Sequence, residues 1–259
     1  SRWVTLDQQF RMHPMLGEFI SDQFYASHDS AEAFQSPLPG SIFRHELPDV
    51  PEVPAIWLDI PASAGAEDRR GTSRIRKAEA REIAACLNGW INSPEGRKLT
   101  FGVISFYSEQ VKEVFAALEG HGLTTRDGEG WRVAREYRGQ PGAEGEPGKE
   151  RLRIGTVDSF QGMEFDVVFL SMVRTQQRSP AKFADQVAEE AWRRRAFGHL
   201  TSANRLCVSM SRQKRLLVVA GDKNMVDGEL GRRAVPELAA FAKLCEDHGH
   251  IREWGTGRA

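Results

Sequence analysis

Gly155-Thr-Val-Asp-Ser-Phe-Gln-Gly-Met-Glu-Phe-Asp-Val-Val-Phe-Leu-Ser-Met-Val-Arg174 is the stretch on which the reading of this chain turns. It opens on the end of one apolar run and closes on a second, with acids, hydroxyls, an amide and a glycine between them. That pattern predicts a strand, a functional loop and another buried strand. Ligands in α/β sheets gather at such loops, because the strand fixes a segment that stays exposed. Asp158, Ser159, Gln161 and Glu164 offer donors and acceptors around Gly162, where the backbone can approach a ligand closely. Asp158 and Ser159 could equally satisfy their own turn.

Comparable short apolar runs lie at 55–58, 101–106, 152–157, 167–172 and 216–220, as expected of parallel strands covered on both faces. Apolar residues recur at helical spacing over 14–24, 77–91, 108–118 and 236–248, the first and last of these opening with a proline. The alternation predicts an α/β fold, a mostly parallel sheet with helices on both faces. Five prolines (Pro37, Pro39, Pro48, Pro51 and Pro54) make 36–54 an extended connection. The glycine-rich stretch 120–149 reads as an excursion or irregular hairpin around Trp131. One domain over 1–259 is expected, with irregular insertions near 26–54, 120–150 and 176–200.

A composition of 40% hydrophobic and 27% charged residues can bury a proper core. No apolar stretch approaches a membrane span and no signal peptide opens the sequence, so no membrane partner is expected. Cys86, Cys207 and Cys245 are too far apart for a disulfide framework or a zinc pattern, and no metal ligands are assigned. A reducing, intracellular (cytoplasmic) setting is expected. The net charge of −1 gives no global basic signature. From 174 to 215, however, ten Lys/Arg stand against three acids, and local fields matter more than totals.

Two further segments carry candidate chemistry. In Leu6-Asp-Gln-Gln-Phe-Arg-Met-His-Pro14, Arg11 precedes a predicted helix and could pair bidentately with a phosphate, while Phe10 could stack on a base or pack in the core. In Ser202-Ala-Asn-Arg-Leu-Cys-Val-Ser-Met-Ser-Arg-Gln-Lys214, Leu206, Val208 and Met210 fit helix or strand, and Arg212 could present its head at a rim of the sheet.

Taken in order, Gln9-Phe-Arg-Met-His-Pro14, Phe101-Gly-Val-Ile-Ser-Phe-Tyr107, Val157-Asp-Ser-Phe-Gln-Gly-Met-Glu164 and 204–214 resemble successive motifs of superfamily 1 helicases. They match the second, C-terminal RecA-like motor domain, in the branch holding the nonsense-mediated-decay helicase and the replication helicase-nuclease. The resemblance spans about residues 6 to 222 and implies a RecA-like fold of the P-loop NTPase type and 5′-to-3′ movement on single-stranded DNA or RNA. It also implies ATP with Mg2+ as cofactor and an N-terminal RecA-like domain of the same protein as partner. By position, Arg11 and Arg212 resemble the arginines that reach the γ-phosphate, and Glu164 the glutamate near the ribose. Phe10 takes the place of the aromatic beside adenine, and Gln161 and Gly162 that of the hinge. Ser105, Tyr107, Thr156 and Asp158 sit where the family faces single-stranded nucleic acid. Met163 stands where the branch favours arginine, and with Phe165-Asp166 it is closer to the 3′-to-5′ branch. Gln213 replaces a small residue.

The sequence contains no Gly-x-x-x-x-Gly-Lys-Ser/Thr; Gly148-Lys149 lacks the first glycine and is followed by Glu150. Without that loop nothing cradles the β- and γ-phosphates, and no hydroxyl awaits magnesium. The sequence therefore reads as half a motor, expected to be inactive alone. The other readings are a nucleic-acid- or protein-binding module that kept the helicase fold, and a 3′-to-5′ helicase domain. A kinase is excluded for want of a phosphate loop or a partnered base.

Overall fold

The computed structural model describes residues 7–26, 29–128, 130–139, 150–175 and 183–255, without the side chain of Ala31. Leu6 of the N-terminal motif, the Gly148-Lys149 pair, and Arg178 and Lys182 of the basic run lie outside the described residues. The strands are β1 (Ala55–Asp59), β2 (Asp68–Arg70), β3 (Ser73–Ile75), β4 (Phe101–Ser105), β5 (Thr124–Asp127), β6 (Gly130–Val133), β7 (Leu152–Thr156), β8 (Phe165–Ser171), β9 (Gln213–Gly221) and β10 (His250–Glu253). The helices are α1 (Pro14–Ile20), α2 (Lys77–Ile91), α3 (Ser108–Glu119), α4 (Gln186–Phe197), α5 (Ala203–Met210), α6 (Asn224–Asp227), α7 (Glu229–Ala234) and α8 (Pro236–His248).

Six strands form one sheet in the order β10-β1-β9-β8-β4-β7, every pair parallel, so all six begin at one edge and end at the other. This is the RecA-like α/β fold. Strand alternation sorts side chains between two cores. Val168, Leu170, Leu217 and Val219 face Leu16, Phe19 and Ile20 of α1, Leu206 of α5 and Phe241 of α8. Val167, Phe169, Leu216 and Val218 face Ile83, Leu87 and Trp90 of α2 and Val114 of α3. Both faces are covered, which is why these strands read as continuous apolar runs.

The structure corrects some expectations and decides others that the sequence leaves open. The predicted helix from Pro14 continues as a π-helical turn, Ser21–Ala26. The region near 176–200, expected to be irregular, holds α4, whose N-cap Asp185 accepts a hydrogen bond from the Ala188 amide at 2.7 Å. The ambiguous run before Arg212 is helical as α5, and the next strand begins at Gln213 rather than 216. The excursion around Trp131 is the hairpin β5–β6.

The opening stretch has an uncommon path. β7 ends at one edge of the sheet and β8 starts at the other, so residues 157–164 must cross the face of β4. A 3-10 turn, Val157–Phe160, carries the fully buried Phe160 onto that face. A Cβ on Gly102 of β4 would lie 2.8 Å from the Phe160 ring. Glycine there is what lets the crossing lie flat.

Candidate nucleotide and nucleic-acid site

At the edge where strands begin, the end of the crossing loop meets the N-terminal segment and the start of β9. Glu164 takes Arg11 Nε on Oε2 at 3.0 Å and Lys214 Nζ on Oε1 at 2.6 Å. The parallel pairing of β8 on β9 begins with Phe165 opposite Gln213, which brings Glu164 to the start of β9 and within reach of Lys214. Arg11 is placed by backbone contacts on either side. Its amide donates to Gln9 Oε1 at 2.9 Å, and the His13 amide donates to the Lys214 carbonyl at 2.8 Å. Burial alone would raise the Glu164 carboxyl, but the Lys214 ammonium and then Arg11 outweigh it and hold it below its ordinary value.

Arg212 is half-buried. Its Nε donates to the Val208 carbonyl at 2.9 Å and its Nη2 to Ser211 Oγ at 2.9 Å, so the guanidinium is braced from α5. Burial first, and the Arg11 charge second, press its pKa downward. An arginine remains cationic through such pressure. Arg11 and Lys214 thus share the Glu164 carboxylate, and the Arg212 charge is felt by the same group, so among the described residues of this cluster the positive charge exceeds the negative. Phe10, next to Arg11 in sequence, is 59% exposed, so its ring is not packed in the core.

Gln161 and Gly162 are exposed, and Gly162 has φ +78° with open space where a Cβ would go. That backbone conformation suits glycine and few other residues. At the opposite edge, Asp158 Oδ2 meets Arg205 Nη2 at 3.1 Å, and the carbonyl of half-buried Thr156 accepts from Ser159 Oγ at 2.7 Å. Ser105 and Tyr107 are only 1% and 5% exposed. Ser105 Oγ accepts the Tyr107 amide, and the Tyr107 ring packs against His199 at 5.2 Å. The cations Arg205 and Arg174 adjoin these rings, with the Arg205 guanidinium 5.8 Å from the Phe106 ring and Arg174 Nη1 3.4 Å from the Tyr107 hydroxyl. Sequence reasoning did not single out Arg205, Arg174 or Lys214 as site residues; each acquires its partner only through the fold.

The structure thus gathers Arg11, Glu164 and Arg212 at one edge and Thr156, Asp158, Ser105 and Tyr107 at the other, with Gln161 and Gly162 between. The family signature for the AAA domain matches residues 1–224. The chain belongs to that family. A regulator of nonsense transcripts 1 homolog of Neurospora crassa is 23% identical over 227 residues, 86% of this chain and 17% of that protein. The ATP-dependent helicase NAM7 of Saccharomyces cerevisiae is 25% identical over 226 residues, 85% of this chain and 18% of that protein. The DNA polymerase alpha-associated DNA helicase A of the same yeast is 25% identical over 271 residues, 95% of this chain and 31% of that protein. This AAA domain therefore spans less than a third of the length of these relatives. The chain is thus a second RecA-like domain of the superfamily 1 helicase type, as its motifs imply. Among the described residues no helix is long and apolar enough to cross a membrane.

Proposed function

We propose that this AAA domain is the C-terminal motor half of an ATP-dependent nucleic-acid helicase or translocase, moving 5′ to 3′ on single strands. The P-loop and the magnesium ligands then belong to an N-terminal RecA-like domain outside this sequence. The observation that carries the reading is the crossing loop, which runs from Thr156 and Asp158 at one edge to Glu164 at the other, where Arg11 and Arg212 converge. An excess of cations fits a polyphosphate, and the free ring of Phe10 fits a base. Bound ATP would supply the phosphoryl group. Arg11 and Arg212 would offset charge on its γ-phosphate, Glu164 would accept from the ribose, and Gln161 and Gly162 would move with the loop between. Thr156 and Asp158 would meet the nucleic-acid strand, and buried Ser105 and Tyr107 would shape the floor beneath it.

The test is Arg11→Ala and Arg212→Ala in the full-length protein. Each is expected to lower ATP turnover by ~10³-fold or more, the scale of arginine fingers. Normal turnover in both variants would sink the reading. Met163 favours the opposite polarity, and a strand-displacement assay with 5′- and 3′-tailed substrates decides between the two directions.

A further inference from the structure

We infer that Lys214 is a positioning residue of this nucleotide site: it keeps Glu164 compensated when Arg11 turns to the phosphates, and so preserves affinity for ATP. The inference rests on the reading above. Glu164 divides its oxygens between two cations, Arg11 at 3.0 Å and Lys214 at 2.6 Å. Arg11 cannot keep this pairing unchanged if its guanidinium swings onto a phosphate. Its side chain is 45% exposed, so the pairing lies outside the packed core.

Without Lys214, the departure of Arg11 would leave a bare carboxylate beside a highly anionic ligand, and like charges at close range repel. With Lys214 in place the carboxylate stays paired throughout. Lys214 is suited to this because it does not move with Arg11. It lies in β9, and its carbonyl accepts the His13 amide at 2.8 Å, two residues along from Arg11. One residue thus anchors the arm that carries Arg11 and, through its side chain, holds the carboxylate that Arg11 releases. Arg212 does not fill this place: its guanidinium rests on the Val208 and Met163 carbonyls and Ser211 Oγ, not on Glu164.

The experiment is a double-mutant cycle on steady-state ATP hydrolysis in the full-length protein, with Lys214→Met, Glu164→Gln and the pair. Lys214→Met alone is expected to raise KM for ATP about three- to fivefold, the scale of one partly exposed charge pair, with a smaller change in kcat. In the Glu164→Gln background the same substitution should leave KM where Glu164→Gln alone puts it, because no carboxylate remains to be compensated. An equal rise in both backgrounds would mean that Lys214 acts on ATP directly and would overturn the inference, as would an unchanged KM in Lys214→Met. Melting curves check that each variant folds, which the partial exposure of both side chains favours. Should Arg11→Ala and Arg212→Ala hydrolyse ATP normally, it is the broader reading that fails; should they fail to hydrolyse while Lys214→Met is silent, only this inference does.

Discussion

At the edge where the strands begin, Arg11, Glu164 and Lys214 meet with a third to nearly half of each side chain in solvent. At the edge where they end, Arg76 and Glu79 meet with none. Arg76 precedes α2 and spends its guanidinium on the carbonyls of Ile60, Pro61 and Gly65 at 2.5, 2.9 and 2.9 Å. Glu79 accepts from Ser171 Oγ and takes the Val173 amide on both oxygens at 2.9 and 3.1 Å. Val173 has φ +69°, a costly conformation for a β-branched residue, and this bidentate grip is what fixes it. Arg174 follows at once, its Nε on Glu67 at 2.9 Å and its Nη2 on the Arg195 carbonyl. The same kinds of ion serve two purposes. Desolvated ions with every partner supplied lock the backbone, whereas solvated ones can be exchanged for a ligand at small cost.

Breaking the buried edge should therefore have the largest effect. Above the Glu79 pKa of about 7, Arg76→Met strands three carbonyls and leaves the carboxylate without its cation, and the expected loss is roughly 3–5 kcal/mol. Chemical denaturation measures it, and a loss below about 1 kcal/mol would erase the contrast between the edges. A pH series gives the next effect. Burial first pushes the Glu79 carboxyl from 4.5 up to about 7, against the pull of Arg76. Between those values the folded chain holds a proton that the unfolded chain has lost. Stability from this group is therefore fully present below 4.5 and is lost as pH rises through about 7. Denaturation midpoints between pH 4.5 and 7 should fall less steeply in Glu79→Gln, which cannot ionise; parallel curves for the two proteins would refute the assignment.

The two edges also differ in how far the sequence announces them. β4 and β8 are legible because strands covered on both faces are apolar runs, and α2 matches its predicted span because its apolar spacing is regular. β10, His-Ile-Arg-Glu, goes unseen because an edge strand half in solvent has no apolar run to show. α4 goes unseen because it buries little beyond Trp192, Ala196 and Phe197 among charged neighbours. Arg11, Glu164 and Arg212 are legible through the order of motifs, not through any one of them. The second partner of Glu164, Lys214, is not, since it reaches the carboxylate across a strand pairing that no local spacing encodes. Nor does a hydroxyl after a strand reveal whether it will face solvent; Ser105 and Thr156 end neighbouring strands at paired positions, yet one is buried and the other half-buried.

Glu164→Gln should have the smallest effect on stability, and its size decides whether the exposed edge is free to act. The amide keeps the shape and one acceptor but loses the charge that Lys214 and Arg11 share. An exposed pair of this kind contributes about 0–1 kcal/mol, and salt screens part of it. The carboxyl is held below its ordinary value, so its contribution exists above that value and disappears as the pH falls through the lowered one. Urea denaturation of the two proteins should therefore give midpoints that differ slightly at neutral pH and converge in acid. A loss as large as that expected for Arg76→Met would mean that Glu164 fastens the crossing loop to β9 as firmly as Glu79 fastens Val173. Arg11 and Lys214 would then be structural ties, too costly to release for a phosphate. A small loss instead leaves the cluster what its exposure makes it, a set of charges held near one another by backbone and available to a ligand.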